Sequence, residues 1–195
     1  MYDVIGSRAS RALRVLWLLE ELGLDYNHLP VAPHSPEALA LNPSGKIPAL
    51  RDGDAVLTDS VAIMTFLADR HGQFTHAPGS HERAAQDALM HRVLDEADAI
   101  LWTAARHSFV LPEEHRVAAI KTSLKWEYER NINGLEAVFE GPFLQGETMT
   151  IADILLAHCL MWAGNAGFAA PPARLEAYLA MMKARPAFQR TAALP

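Results

Sequence analysis

The apolar positions of this chain change period several times before residue 75 and then settle on the helical one. Tyr2 to Ile5 is a short β-prone run closed by Gly6-Ser7. From Arg11 to Leu22, Ala12, Leu13, Val15, Leu16, Trp17, Leu18 and Leu19 crowd together, followed by Glu20 and Glu21. So wide an apolar surface predicts a helix covered on more than one side, and Gly23 stands where a C-cap falls. Tyr26 to Val31 reads as a second strand, which Pro30 confines to an edge or ends early. Pro36 starts a short helix through Leu41. After the turn-rich Asn42-Pro43-Ser44-Gly45, Ile47 to Arg51 and Ala55 to Thr58 read as strands joined by an Asp52-Gly53-Asp54 hairpin turn. Ser60 to Arg70 is helical by spacing, because Val61, Met64 and Leu67 recur with Ile63 and Phe66 alongside. The order is strand, helix, strand, short helix, strand, strand, helix. It describes a β-α-β unit with a right-handed crossover, closed by a hairpin that makes the sheet mixed.

Gly72 to Ser80 carries Gly72, Pro78 and Gly79 and few large apolar residues, the composition of a connection. Beyond it every segment has helical spacing: His81 to about Phe109, Glu113 to Phe139, Ile151 to Ala163, Leu175 to Ala184, and a last turn after Pro186. Pro112 and Pro186 fall at first-turn positions. The expected organisation is an α/β domain over residues 1–74, a linker over 75–82 and an all-α helical bundle over 83–195.

Composition narrows the function classes. Half of the 195 residues are apolar and 21% are charged, the balance of a chain with a full core. A formal net charge of −6 argues against nucleic acid as a partner. No apolar stretch reaches the length of a membrane span, and the N-terminus has no signal-peptide pattern, so a cytoplasmic location is expected. The single cysteine, Cys159, excludes an internal disulfide framework. It stands among Leu156, Leu160 and Met161 as a core residue. The nine histidines include no His-x-x-x-His pair, so no metal site is expected.

Three junctions are candidates for chemistry. Pro48 stands at the entry to a strand, where it cannot donate to the ladder. A cis Ile47-Pro48 bond would turn the Ile47 backbone outward to pair with a peptide-like ligand, and an ordinary trans proline at a strand start is the alternative. Thr58-Asp59-Ser60 joins a strand to a helix, where a cap and free N–H groups can receive a carboxylate or serve capping alone. Gly6 to Arg11 joins the first strand to the first helix. Ser10 there lies near a positive helix end, able to donate to an anion or simply to cap.

These segments resemble the glutathione S-transferase family. Arg14 to Gly23 is similar to its first helix, Leu41 to Leu50 to its cis-proline segment, and Leu57 to Ile63 to the segment holding the γ-glutamyl group. Thr150-Ile151-Ala152-Asp153 is similar to the family's capping box, in which Thr150 and Asp153 start a buried helix. The four matches stand in family order over nearly the whole chain. The resemblance implies a thioredoxin-like domain with a mixed four-stranded sheet, an all-α electrophile-binding domain, and glutathione as co-substrate without a metal. It implies a homodimer, with the first domain of one subunit against the helical domain of the other.

Residue by residue, the resemblance places Ile47 and Pro48 at the cysteinyl part of glutathione, Ser60 at its α-carboxylate, Asp59 toward its amino end and Lys46 near its glycyl carboxylate. A serine after the first strand would stabilise the thiolate. Ser10, directly before the matched helix, is the first choice and Ser7 the alternative. Trp102 and Arg106 fall in the region that faces the second substrate in the family, or pack as an ordinary helix aromatic and solvated cation. The implied activity is conjugation of glutathione to small hydrophobic electrophiles. The alternatives are a glutathione-dependent isomerase, reductase or dehalogenase, or a non-catalytic interaction module of the same fold.

Overall fold

The computed structural model describes residues 1–194. By its contacts the chain divides into two compact units: Met1–Pro78 together with the segment from Met182 onward, and Gly79–Met181.

In the first unit, β1 (Tyr2–Ile5), α1 (Ala12–Leu22), β2 (Tyr26–Leu29), α2 (Pro36–Leu41), β3 (Ala49–Asp52), β4 (Ala55–Thr58) and α3 (Ser60–His71) follow in the expected order. The sheet runs β2-β1-β3-β4, with β1 parallel to β2 and antiparallel to β3, and β3 antiparallel to β4. Two strand limits have a common cause. β2 stops at Leu29 because Pro30 has no N–H to continue the ladder, and β3 begins at Ala49 rather than Ile47 because Pro48 has none either. Helix α1 is buried on nearly every side from Ala12 to Leu19, as its wide apolar surface required. Gly23 closes it in the left-handed region at φ 65°.

The chain from Met182 onward was expected within the helical bundle, but it joins this first unit. Here α9 (Pro186–Ala192) buries Ala187, Phe188 and Thr191. The Phe188 ring meets fully buried Trp17 of α1 edge-on at 4.7 Å. Arg185 grips Glu21 through two bonds of 2.6 and 2.8 Å, and Arg190 reaches Glu20 at 2.6 Å.

The second unit contains α4 (His81–Val93), α5 (Ala99–Ala105), α6 (Ile120–Glu136), α7 (Ile151–Asn165) and most of α8 (Ala173–Ala184). The segment read as one helix to Phe109 is continuous but passes through two π-helical turns, Leu94–Asp98 and Arg106–Val110. The segment read as a helix from Glu113 begins instead with a 3₁₀ turn, Glu113–His115, and becomes helical at Ile120. Helix α7 is the core of this unit: ten of its residues are buried, Cys159 among them. Its start is tied by Asp153, whose carboxylate accepts the Thr150 N–H and the Leu144 N–H, each at 2.8 Å, and the Tyr178 hydroxyl at 3.2 Å. Burial pushes the Asp153 carboxyl up to about 6 against those hydrogen bonds. No helix among the described residues is long and apolar enough to cross a membrane.

Candidate active site

The register of the sheet gathers the three candidate junctions at one end. Ile5 lies opposite Ala49, and Ala49 opposite Thr58. Hence Gly6-Ser7 after β1, Ile47-Pro48 before β3, and Asp59-Ser60 after β4 are neighbours although they lie far apart in sequence. Gly6 makes the closest approach: at φ 137° a Cβ there would stand 2.9 Å from the Ile47 Cβ. Only glycine fits both the backbone angle and the space.

The Ile47-Pro48 peptide is cis. Among the described residues nothing takes the Ile47 backbone N–H or C=O in a hydrogen bond, so both are available to a strand-like partner. Lys46 next to it is exposed, with its carbonyl held by the Asn42 side chain at 2.9 Å.

Of the two possible caps for α3, Asp59 is the one used. It stands at φ 71° and its Oδ1 accepts the Val61 and Ala62 N–H groups at 2.9 and 3.0 Å. A non-glycine residue in that region is costly and persists where its surroundings hold it. Asp59 is exposed, and both of its capping bonds use Oδ1. Ser60 is 2% exposed, and its Oγ accepts a hydrogen bond of 3.2 Å from Nη1 of Arg14. Arg14 is fully buried in α1. Sequence reasoning placed it only within a matched helix; the available signal was a cation on the face otherwise occupied by Val15, Leu18 and their neighbours.

The two serines of the first junction differ in what their protons do. Ser10 Oγ donates its single proton to the Ser7 carbonyl at 2.6 Å and accepts the Ala12 N–H at 3.1 Å, capping the first turn of α1. Ser7 Oγ accepts the Ala9 N–H at 3.2 Å, and among the described residues nothing accepts its proton. Both side chains are partly exposed. The junction itself is fixed to the end of β2 by Gly6 N–H to the Leu29 carbonyl and Ser7 N–H to the Val31 carbonyl, at 2.9 and 3.1 Å.

In the helical unit, Trp102 and Arg106 sit one turn apart, both partly exposed, at the passage from α5 into the second π-helical turn. Arg106 is held by a 2.9 Å bond from Nη2 to Thr103 Oγ1. Phe109 is 70% exposed. Among the described residues no group of three or more His, Cys, Asp or Glu side chains is placed to hold a metal ion.

The family model for the N-terminal domain of glutathione S-transferases matches residues 10–70. Glutathione S-transferase 1 of Zea mays is 30% identical over 192 residues, covering 90% of this chain and 88% of the relative. Glutathione S-transferase GstB of Escherichia coli K12 is 29% identical over 97% of this chain and 96% of its own. Among solved structures, the theta class glutathione S-transferase of Xanthomonas axonopodis pv. citri with glutathione bound superposes with a TM-score of 0.81. It is 27% identical and the match covers all of this chain and 98% of that one.

Proposed function

The chain belongs to the glutathione S-transferase family and is a glutathione transferase, and on that premise we propose that it joins the glutathione thiolate to small, largely apolar electrophiles. The observation that carries the proposal is the convergence at one sheet end of a free Ile47 backbone, a capped helix start at Asp59-Ser60, and an uncommitted Ser7 hydroxyl. These match the three parts of the peptide: a backbone to pair, a γ-glutamyl end with a carboxylate and an ammonium, and a thiol. Ile47 and Pro48 hold the cysteinyl part. Ser60 takes the α-carboxylate, Oδ2 of Asp59 faces the ammonium, and Lys46 approaches the glycyl carboxylate.

A free thiol with a pKa near 8.5 is mostly protonated at neutral pH. A hydroxyl donor beside a helix N-terminus favours the thiolate, and catalysis then needs little beyond juxtaposition with the electrophile. We assign the donor to Ser7, because the Ser10 proton is already bound to a carbonyl; Ser10 acts as the cap of α1. Trp102 and Arg106 meet the electrophile in this proposal, residues 1–74 bind glutathione, residues 83–181 supply the electrophile side, and two copies form the dimer. Absence of a cysteine from the Gly6–Arg11 junction favours conjugation over thiol–disulfide chemistry. The test is a calorimetric titration with glutathione together with turnover of an aromatic halide. Millimolar or tighter binding with conjugate formation is expected, and no binding at millimolar glutathione refutes the proposal.

A further inference from the structure

We propose that Arg14 is a positioning residue for the α-carboxylate of the thiol peptide, acting through the Ser60 hydroxyl; the inference rests on the glutathione reading above. A hydroxyl has one proton and two acceptor lone pairs, and a guanidinium has donors only. In the 3.2 Å contact between Nη1 of Arg14 and Ser60 Oγ, the serine must therefore accept. Its own proton is left to donate, and among the described residues no acceptor takes it. Ser60 is also the first residue of α3, whose next two N–H groups are already satisfied by Asp59.

The start of this helix thus offers the Ser60 O–H and the Ser60 N–H as a pair of donors, aimed at whatever anion docks there. Behind that pair stands a cation with no solvent exposure. An apolar side chain would pack the contact between α1 and α3 at lower cost than a buried guanidinium. What the guanidinium adds is direction: it fixes the acceptor side of the hydroxyl, so the donor side faces out.

The experiment compares glutathione with γ-aminobutyryl-cysteinyl-glycine, which lacks only the α-carboxylate. Their KM and kcat values are measured with the wild type, Arg14→Gln, Arg14→Lys and Ser60→Ala. The wild type is expected to favour glutathione in KM by roughly tenfold to a hundredfold, the range for a hydrogen bond to a charged group. Arg14→Gln and Ser60→Ala should each bring that ratio down to a few-fold, and Arg14→Lys should restore part of it. The loss is expected in KM for glutathione, because the lost interaction is one of binding. A merely structural role for Arg14 would raise both KM values together and leave their ratio intact.

A folded Arg14→Gln protein, or Ser60→Ala, with the wild-type ratio overturns the inference. If no Arg14 variant folds, the side-chain resonances of nitrogen-labelled Arg14 in the wild type decide. They should shift on saturation with glutathione and not with the truncated thiol, and equal shifts overturn it. A wild type that does not distinguish the two thiols fails differently, by refuting the carboxylate assignment itself.

Discussion

Replacing Ser7 by alanine should raise the pKa of the bound thiol, and replacing Ser10 should not. The Ser7 hydroxyl carries the only uncommitted proton of the two. A hydrogen bond to a charged group contributes about 1.5–3 kcal/mol, and one pKa unit corresponds to about 1.36 kcal/mol. Ser7 is therefore expected to lower the bound thiol by about one to two units from a free value near 8.5. At pH 7 that raises the ionised fraction from about 3% to between a quarter and three quarters. Ser7→Ala should cut kcat/KM at pH 7 by roughly tenfold or more, with the loss recovered as the pH rises past the free thiol's pKa. Ser10→Ala instead removes a helix cap, costing about 1 kcal/mol and lowering Tm by about 2–4 °C in a chain of this size. The assay follows ultraviolet absorption of the bound thiolate against pH, alongside kcat/KM. If Ser10→Ala moves the thiol pKa by a unit and Ser7→Ala leaves it in place, the assignment is wrong. The Ser10 hydroxyl must then swing from the Ser7 carbonyl to the sulfur when glutathione binds.

Gly6→Ala should destabilise the first unit by about 1–3 kcal/mol and raise the KM for glutathione, because its Cβ displaces Ile47; unchanged unfolding and KM would contradict the contact. Phe188→Ala should cost about 3–5 kcal/mol and red-shift emission from Trp17, whose ring it covers, as read by urea unfolding and fluorescence. The buried Asp153 carboxyl, pushed up to about 6, keeps its proton in the folded chain between the unfolded value near 3.9 and that pH. Its contribution to stability accordingly falls as pH rises through this window. Unfolding of wild type and Asp153→Asn at pH 4.5 and 7 should differ in pH dependence by about 2 kcal/mol, and parallel curves would refute the shift.

Much of the first unit was legible because strands and helices there have distinct periods and the proline and glycine positions punctuate them. Asp59 and Ser60 could be marked as a helix start, and Pro48 as an irregular strand entry, from residue type alone. Arg14 could not be given its place, since nothing local says that a cation on an apolar helix face will meet Ser60. Only the packing of α1 on α3 brings them together. The two serines were indistinguishable for a similar reason. Hydroxyl direction depends on a carbonyl three residues away, the Ser7 C=O that receives Ser10. The π-helical turns at Leu94–Asp98 and Arg106–Val110 shift the helical register by the change to i→i+5 bonding, but neither holds a proline or glycine to announce it in the sequence. The placement of α9 was missed because Phe188 and Ala187 fit a bundle as well as they fit α1.

The attachment of α9 to α1 imposes an order on synthesis. The seat for Phe188 and the carboxylates awaiting Arg185 and Arg190 are translated early, and their partners come only after the whole of Gly79–Met181. At ribosomal elongation rates that interval is on the order of ten seconds, during which the indole of Trp17 lacks the cover that Phe188 gives it. A nascent chain stalled within the helical unit would present this bare surface to a chaperone or to another nascent copy. Expression of residues 1–78 alone would make that state permanent.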